Sequence, residues 1–190
     1  MCALRPDAGI EPGMLLVASP LLRDPNFSRA VIFVIDHRSD GTTGVILNRP
    51  SEVQLLDVLP QWWELASGPR TLFMGGPVER NAALCLAQAL PGQMPVGWTA
   101  ISGQLGLTDL DSDPGVLQTA VSGLRVFAGY AGWGAQQLAD EITEGAWLVV
   151  PGRPADVFAD PDVDLWREVL RRQGNRLALI ASFPDDPRMN

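Results

Sequence analysis

Short apolar runs broken by turn residues recur along this chain. The first, residues 14–18, is closed by Ser19 and Pro20 and predicts a strand. In the following LLRDPNFSR, Pro25 pushes Asp24 out of the α region and Asn26 tolerates a left-handed turn. Residues 30–36, AVIFVID, are β-rich and apolar on both faces, which predicts a central strand covered on each side. Asp40-Gly41 is a strong turn dipeptide, so residues 30–36 and 43–47 read as a hairpin that delivers Asn48, Arg49 and Pro50 at its far end.

Beyond the hairpin, Ser51 can cap a short helix through Leu59, ended by Pro60, and residues 71–74 predict a strand. Residues 82–90 fit helix or strand by pattern alone, while 98–102 and 105–107 read as strands. Asp113 is an N-cap, Pro114 suits a first helical turn, and residues 116–121 form a helix stopped at Gly123. Residues 124–128 then predict a strand that runs into a tight loop, where Gly129, Gly132 and Gly134 surround Tyr130 and Trp133. Ala135, Leu138, Ala139 and Ile142 give one apolar helical face up to Gly145. Residues 146–150 predict a strand and 162–173 a helix stopped at Gly174, with Val163, Trp166, Val169 and Leu170 on its apolar face. Residues 177–181 read as the last strand, between a flexible start over 1–12 and an irregular tail. Strands outnumber helices and most connections are of hairpin length, so the expected class is α+β, as one domain over residues 1–190.

Composition narrows the function classes. With 46% hydrophobic residues and 19% charged, 190 residues suffice for one core. The formal charge is −8, every basic residue is arginine, and the balance argues against a non-specific nucleic-acid binder. Arg167, Arg171, Arg172 and Arg176 are the candidate basic patch, read as cations near a helix C-terminus. No apolar run approaches the roughly 20 residues that span a bilayer, and the start lacks the pattern of a secretory signal. The expectation is a soluble cytoplasmic protein with Cys2 and Cys85 reduced and no membrane contact. A single histidine, His37, leaves no His-based metal cluster within one chain, and no metal or other cofactor is expected.

Five stretches carry a resemblance. FAGYAGWGAQQLADE from Phe127, and, in the right order along the chain, GMLLVASPLLRDPNF from Gly13, GTTGVILNRP closing at Pro50, GGPV from Gly75, and a tail with Ser182, Pro187 and Asn190, resemble the YqgE/AlgH family of bacterial proteins. The resemblance implies a small closed β-barrel with a branching mixed sheet surrounded by helices, and favours strand over helix for residues 82–90. The family's molecular function is largely unknown. A transcriptional-regulator label attached to some members implies, at most, an alternative role on DNA.

Three places could carry chemistry. The glycines of 129–134, between a strand and a helix, sit where phosphate-binding loops occur, although their G-x-x-G-x-G spacing is not the dinucleotide pattern, and the favoured reading is that they permit close packing of Tyr130 and Trp133. Arg49, held by Asn48 and Pro50, can grip a carboxylate or phosphate, or pair internally with Asp24 or Glu141. His37 stands beside Asp36, but neighbours on a strand point to opposite faces and form no dyad. Asp140, Glu141 and Glu144 oppose the dipole of their helix, which points to a partner outside it such as Arg49 or Arg125. No nucleophile elbow, C-x-x-C, Walker or HExxH motif is present. The expected function is non-catalytic binding of a protein partner or small ligand, with Asn48, Arg49, Tyr130, Gly132 and Trp133 as site candidates. The alternatives are action on DNA and an enzyme for a phosphate-containing substrate.

Overall fold

The computed structural model describes residues 9–184. Most of the start expected to be flexible, and the tail carrying Pro187 and Asn190, lie outside the described residues. Alternation sets the first strands. In β1 (Met14–Ala18) and β2 (Val31–Arg38), Leu15, Val17, Val31 and Phe33 enter one apolar cluster while Leu16, Ala18, Ile32 and Val34 enter another. Both faces are buried, as a doubly apolar run requires. Asp40-Gly41 turns the chain into β3 (Gly41–Ile46), with Arg38 opposite Gly41 and a register shift between Val34 and Asp36.

After Asn48 and Arg49 come β4 (Pro50–Gln54), a one-turn α1 (Leu55–Val58) and β5 (Thr71–Met74). The helix expected over 51–59 is therefore strand for its first half. Ser51 caps no helix, because Pro50–Gln54 pairs with β5. Residues 82–90 are strand, within β6 (Val78–Ala89), followed by the hairpin β7 (Trp98–Ser102) and β8 (Leu105–Thr108). Asp113 caps α2 (Pro114–Leu117) by accepting from the Gly115 amide at 2.9 Å, and this helix ends earlier than expected because Val121 already belongs to β9 (Val121–Gly134). Then follow α3 (Gln137–Thr143), β10 (Trp147–Pro151), α4 (Pro154–Val157), α5 (Leu165–Arg171) and α6 (Asn175–Ile180). Gly145 and Gly174, at φ +80° and +67°, stop α3 and α5 where expected. The last strand, expected at 177–181, is instead helical. Leu177 and Ile180 lie three residues apart on α6 and pack on the core that α5 also faces.

The sheet runs β10-β1-β2-β3-β9-β6-β8-β7 and is mostly antiparallel. It branches at β9, which pairs with β3 near its end, with β6 along most of its length, and with β5 in parallel at Phe127 and Ala128. The sheet curls until Ser102, at the end of β7, meets Gly13 just before β1; a Cβ on Gly13 would lie 2.4 Å from that of Ser102. No ladder joins β7 to β10 among the described residues. The described sheet is thus a strongly curled half-barrel, and the closure expected from the resemblance is not shown among the described residues. Helices cover the inner face, with Val157, Leu165, Trp166, Val169 and Leu170 packed on Leu15, Phe33, Phe127 and Val150. Outside, α3 covers one part of the sheet, and α1, the 3-10 turn Pro60–Trp62 and α2 cover another through Leu55, Trp62 and Leu117. No described helix is long and apolar enough to cross a membrane.

Candidate recognition cleft

Asn48 and Arg49 are committed to the chain's own backbone. Asn48 Oδ1 accepts from the Val31 amide at 3.0 Å and its Nδ2 donates to the Arg29 carbonyl at 2.8 Å, so the side chain stitches the end of β3 to the start of β2. Arg49 donates to the Ser28 and Asn48 carbonyls, and burial lowers its pKa from the ordinary value. Neither Asp24 nor Glu141 is its partner. Asn48 borders a cavity of about 190 Å³ with Phe73, Asp160 and Asp164, whereas Arg49 does not line it.

The glycines of 129–134 form no loop. β9 runs to Gly134 and, after a two-residue turn, α3 starts at Gln137 with no side-chain cap, so the glycines lie in the strand rather than in a loop that could cradle a phosphate. Gly129 alone of the three has positive φ, +67°, at a register shift between β9 and β6. Trp133 turns inward: its indole N–H and that of Trp147 both donate to Glu141 Oε2, at 2.9 and 2.7 Å, while Gln137 donates to Oε1 at 2.8 Å. The outside partner that the dipole argument requires for Glu141 is therefore a pair of indoles rather than Arg49 or Arg125.

Gly132 and Gly134 have another consequence. Residues directly opposite on neighbouring strands share a face. Asp36 lies opposite Thr43, and Thr43 opposite Gly132; Arg38 lies opposite Gly41, and Gly41 opposite Gly134. Across three strands, one face thus carries two charged side chains, one threonine and three bare glycines. A Cβ at Gly134 would meet nothing within 4 Å, and one at Gly132 would touch only the Tyr130 ring, at 3.4 Å. The result is an open cleft of about 480 Å³, floored by backbone, walled by Tyr130 and Val78 and rimmed by Asp36, Arg38 and Asp40. Arg38 Nε pairs with Asp36 Oδ2 at 2.9 Å. Tyr130, Gly132 and Trp133 all border this cleft, whereas Asn48 and Arg49 do not. Asp36, Arg38, Asp40, Gly41 and Thr43 belong to it as well. The hairpin register brings them in, and only Asp36 carries a sequence signal, as the neighbour of the lone histidine.

On the opposite face of the same hairpin, exposed His37 meets the Thr42 hydroxyl at 2.7 Å through Nδ1 and faces away from Asp36, as the alternation requires. Cys85 is buried, and burial pushes its thiol up to about 12. Arg125, 2% exposed, donates to the carbonyls of Val157, Ala159 and Gly68 at 2.8–3.0 Å and stacks 4.2 Å from the Phe73 ring centroid. Burial lowers its pKa to about 10 against the opposing pull of Asp160, so it stays charged at neutral pH. Of the late arginines, Arg172 pairs with Asp156 and Arg167 with Asp164, while Arg171 stands in the last turn of α5, as the helix-end reading expects. Among the described residues no group of His, Cys, Asp and Glu is arranged to hold a metal.

The AlgH-like family model (DUF179) matches residues 15–178. A UPF0301 protein of Streptomyces coelicolor is 51% identical over 183 residues, covering 94% of each chain. One from Mycobacterium tuberculosis is 47% identical over 184 residues, covering 95% of this chain and 91% of its own. The fold is similar to a crystal structure of a Corynebacterium diphtheriae protein, with TM-score 0.88 at 37% identity over 92% of this chain and 93% of that one. It is also similar to the solution structure of AlgH from Pseudomonas aeruginosa, with TM-score 0.69 at 28% identity over 97% and 98% of the two chains. Motifs, family match and fold agree, and the chain belongs to the AlgH-like (UPF0301) family.

Proposed function

We propose that this AlgH-like protein is a non-catalytic recognition protein that binds a protein partner or small ligand in the cleft between the β2–β3 turn and Tyr130–Gly134. The supporting observation is the bare floor. Gly134, with nothing within 4 Å of a Cβ, and Gly132, where a Cβ would touch only the Tyr130 ring, leave room at strand positions where side chains normally fill the space, whereas Gly41 is closed by the Trp133 carbonyl at 2.6 Å. Concave sites with a few convergent polar groups are where ligands generally bind. Asn48 and Arg49, with their polar groups spent on backbone, act as struts for the β2–β3 end rather than as contacts.

Acid-base chemistry has little support here, because His37 and Asp36 face apart and Cys85 is a buried, protonated thiol. The phosphate-handling alternative rested on a glycine loop that β9 replaces. Direct action on DNA is disfavoured by the charge of −8 and by the internal pairing of Arg167 and Arg172, so a regulatory role would run through a bound partner. A cytoplasmic location fits the same reading, since a buried free thiol needs no oxidising compartment.

The test is photo-crosslinking in cells, with a crosslinking residue at Gly134 and, as control, at Met94, which is 83% exposed and outside the cleft. A discrete adduct from position 134 and none from 94 is expected. Equal labelling from both, or no adduct from 134, would count against the cleft.

A further inference from the structure

The edge of β6 that faces away from β9 is left unfinished at one point. Strand residues turn their backbone N–H and C=O together, alternately to one neighbour and to the other. Ala128 of β9 gives its carbonyl to the Gly75 amide at 2.8 Å, on the β5 side, so it offers nothing to Ala83 directly opposite on β6. Ala83 therefore turns its own N–H and C=O away from β9, toward the side that β8 occupies farther along. β8 stops short of it. The β6–β8 ladder ends at Thr108 opposite Cys85, and the Asp109 amide goes to the Gly97 carbonyl at 3.1 Å instead. Among the described residues no ladder or turn hydrogen bond reaches Ala83 on that side.

The gap opens onto a groove of about 600 Å³, which Ala83 and Leu84 line together with Leu107 of β8 and with Leu59 and Gln61 from the layer outside the sheet. Thr108, 6% exposed, borders the same groove, and its hydroxyl is a buried polar group without a partner. The rim is acidic: Asp109 and Asp111 are exposed, and no basic side chain lines the groove. Asp109 Oδ1 accepts from the Asp111 amide at 2.9 Å, while the Asp111 carboxylate has no hydrogen-bond or ion-pair partner among the described residues.

An open sheet edge accepts an extended chain, which pairs through its backbone and sets alternate side chains into the flanking surfaces. Here the side chain opposite Ala83 falls on the Cys85 face beside Leu59, and its neighbours fall on the face of Leu84 and Leu107. Charge selects the occupant. The acidic rim and the −8 of the whole chain repel a second copy or an acidic peptide and attract a basic one. We propose that β6 takes up an extended basic segment of a partner protein as an added strand in line with β8, paired to the Ala83 backbone, with a lysine or arginine of that segment at Asp111. This site is separate from the Tyr130 cleft, with which it shares no lining residue.

The probe is a displayed library of short random peptides selected on the full chain, with the best binder synthesised and its effect on amide hydrogen exchange read in the ¹⁵N-labelled protein. Enriched peptides should carry a basic residue among alternating apolar ones, and the bound peptide should slow exchange at Ala83, whose amide exchanges fast in the free chain. Ala83→Pro removes the donor that faces the groove and no bond to β9, so it should keep the native spectrum and weaken the peptide by about tenfold. Asp111→Asn, at an exposed position, should weaken it by about threefold at low salt and by less at high salt. If the proline variant does not fold, wild-type exchange and the asparagine variant decide. No enrichment, enrichment of acidic peptides, an Ala83 amide already protected in the free chain, or a peptide that shifts Gly134 and leaves Ala83 unchanged would each overturn the proposal.

Discussion

Glu141 is a carboxylate in an aromatic pocket, and its chemistry is structural. Both indole N–H groups that it accepts belong to buried tryptophans, at 6% and 2% exposure, packed edge to face at 5.6 Å between ring centroids. Removing the acceptor leaves two buried donors unsatisfied. Glu141→Ala should cost about 3 kcal/mol of unfolding free energy, and Glu141→Gln less, because one amide oxygen still accepts. Urea denaturation measures the difference, and an unchanged midpoint in the alanine variant would remove this role. Cys85 makes a pH statement. Its folded pKa of about 12 stands above the unfolded 9.0, so above about pH 9 the unfolded chain releases a proton that the folded chain keeps. The stability that this group supplies is complete below pH 9 and is lost as pH rises toward 12. At pH 8 the native thiol should resist alkylation that goes to completion in urea, with mass spectrometry of the peptides as the readout. Modification of Cys85 at equal rates in both conditions would contradict its burial.

At the scale of elements, local signals were legible where one residue decides the backbone. Asp113, Gly145 and Gly174 mark helix ends in the sequence and in the structure. The doubly apolar AVIFVID was readable as a central strand for the same reason. Signals failed where pairing decides. Ser51 has the chemistry of a cap, but β5 takes its neighbours into a ladder. Leu177 and Ile180 could alternate or lie on a helix, and packing beside α5 settles it. The glycines after Phe127 have the composition of a loop, yet β3 and β6 pair on either side of them and hold the segment in one bulged strand. That difference sets two glycines apart. Gly129 has φ +67°, and a Cβ there would lie 2.7 Å from two carbonyl oxygens, so Gly129→Ala should cost about 3 kcal/mol or more from strain and overlap. Gly134→Ala, with ordinary φ and open space, should shift stability by no more than about 0.5 kcal/mol. Equal thermal shifts in the two variants would mean that β9 is not the continuous bulged strand described here.

For the whole molecule, family membership and α+β class were readable from motifs and spacing, whereas the degree of closure was not. A half-barrel and a barrel differ by whether β7 and β10 pair, and these strands are far apart in sequence. The cleft was half legible for a related reason. Tyr130, Gly132 and Trp133 were visible as an unusual cluster, but Asp36, Arg38 and Thr43 join it only through a register that places them on the same face. Asn48 and Arg49 looked equally conspicuous, and only their hydrogen bonds show them turned inward. The account as a whole rests on that bare face being kept open for an occupant. Native mass spectrometry of the wild-type protein beside Gly134→Leu, both purified gently at low salt, tests it most directly. The leucine has room on the backbone and projects into the cleft. The account expects a bound species on the wild type that is absent from a folded Gly134→Leu; the same adduct on both proteins would contradict it.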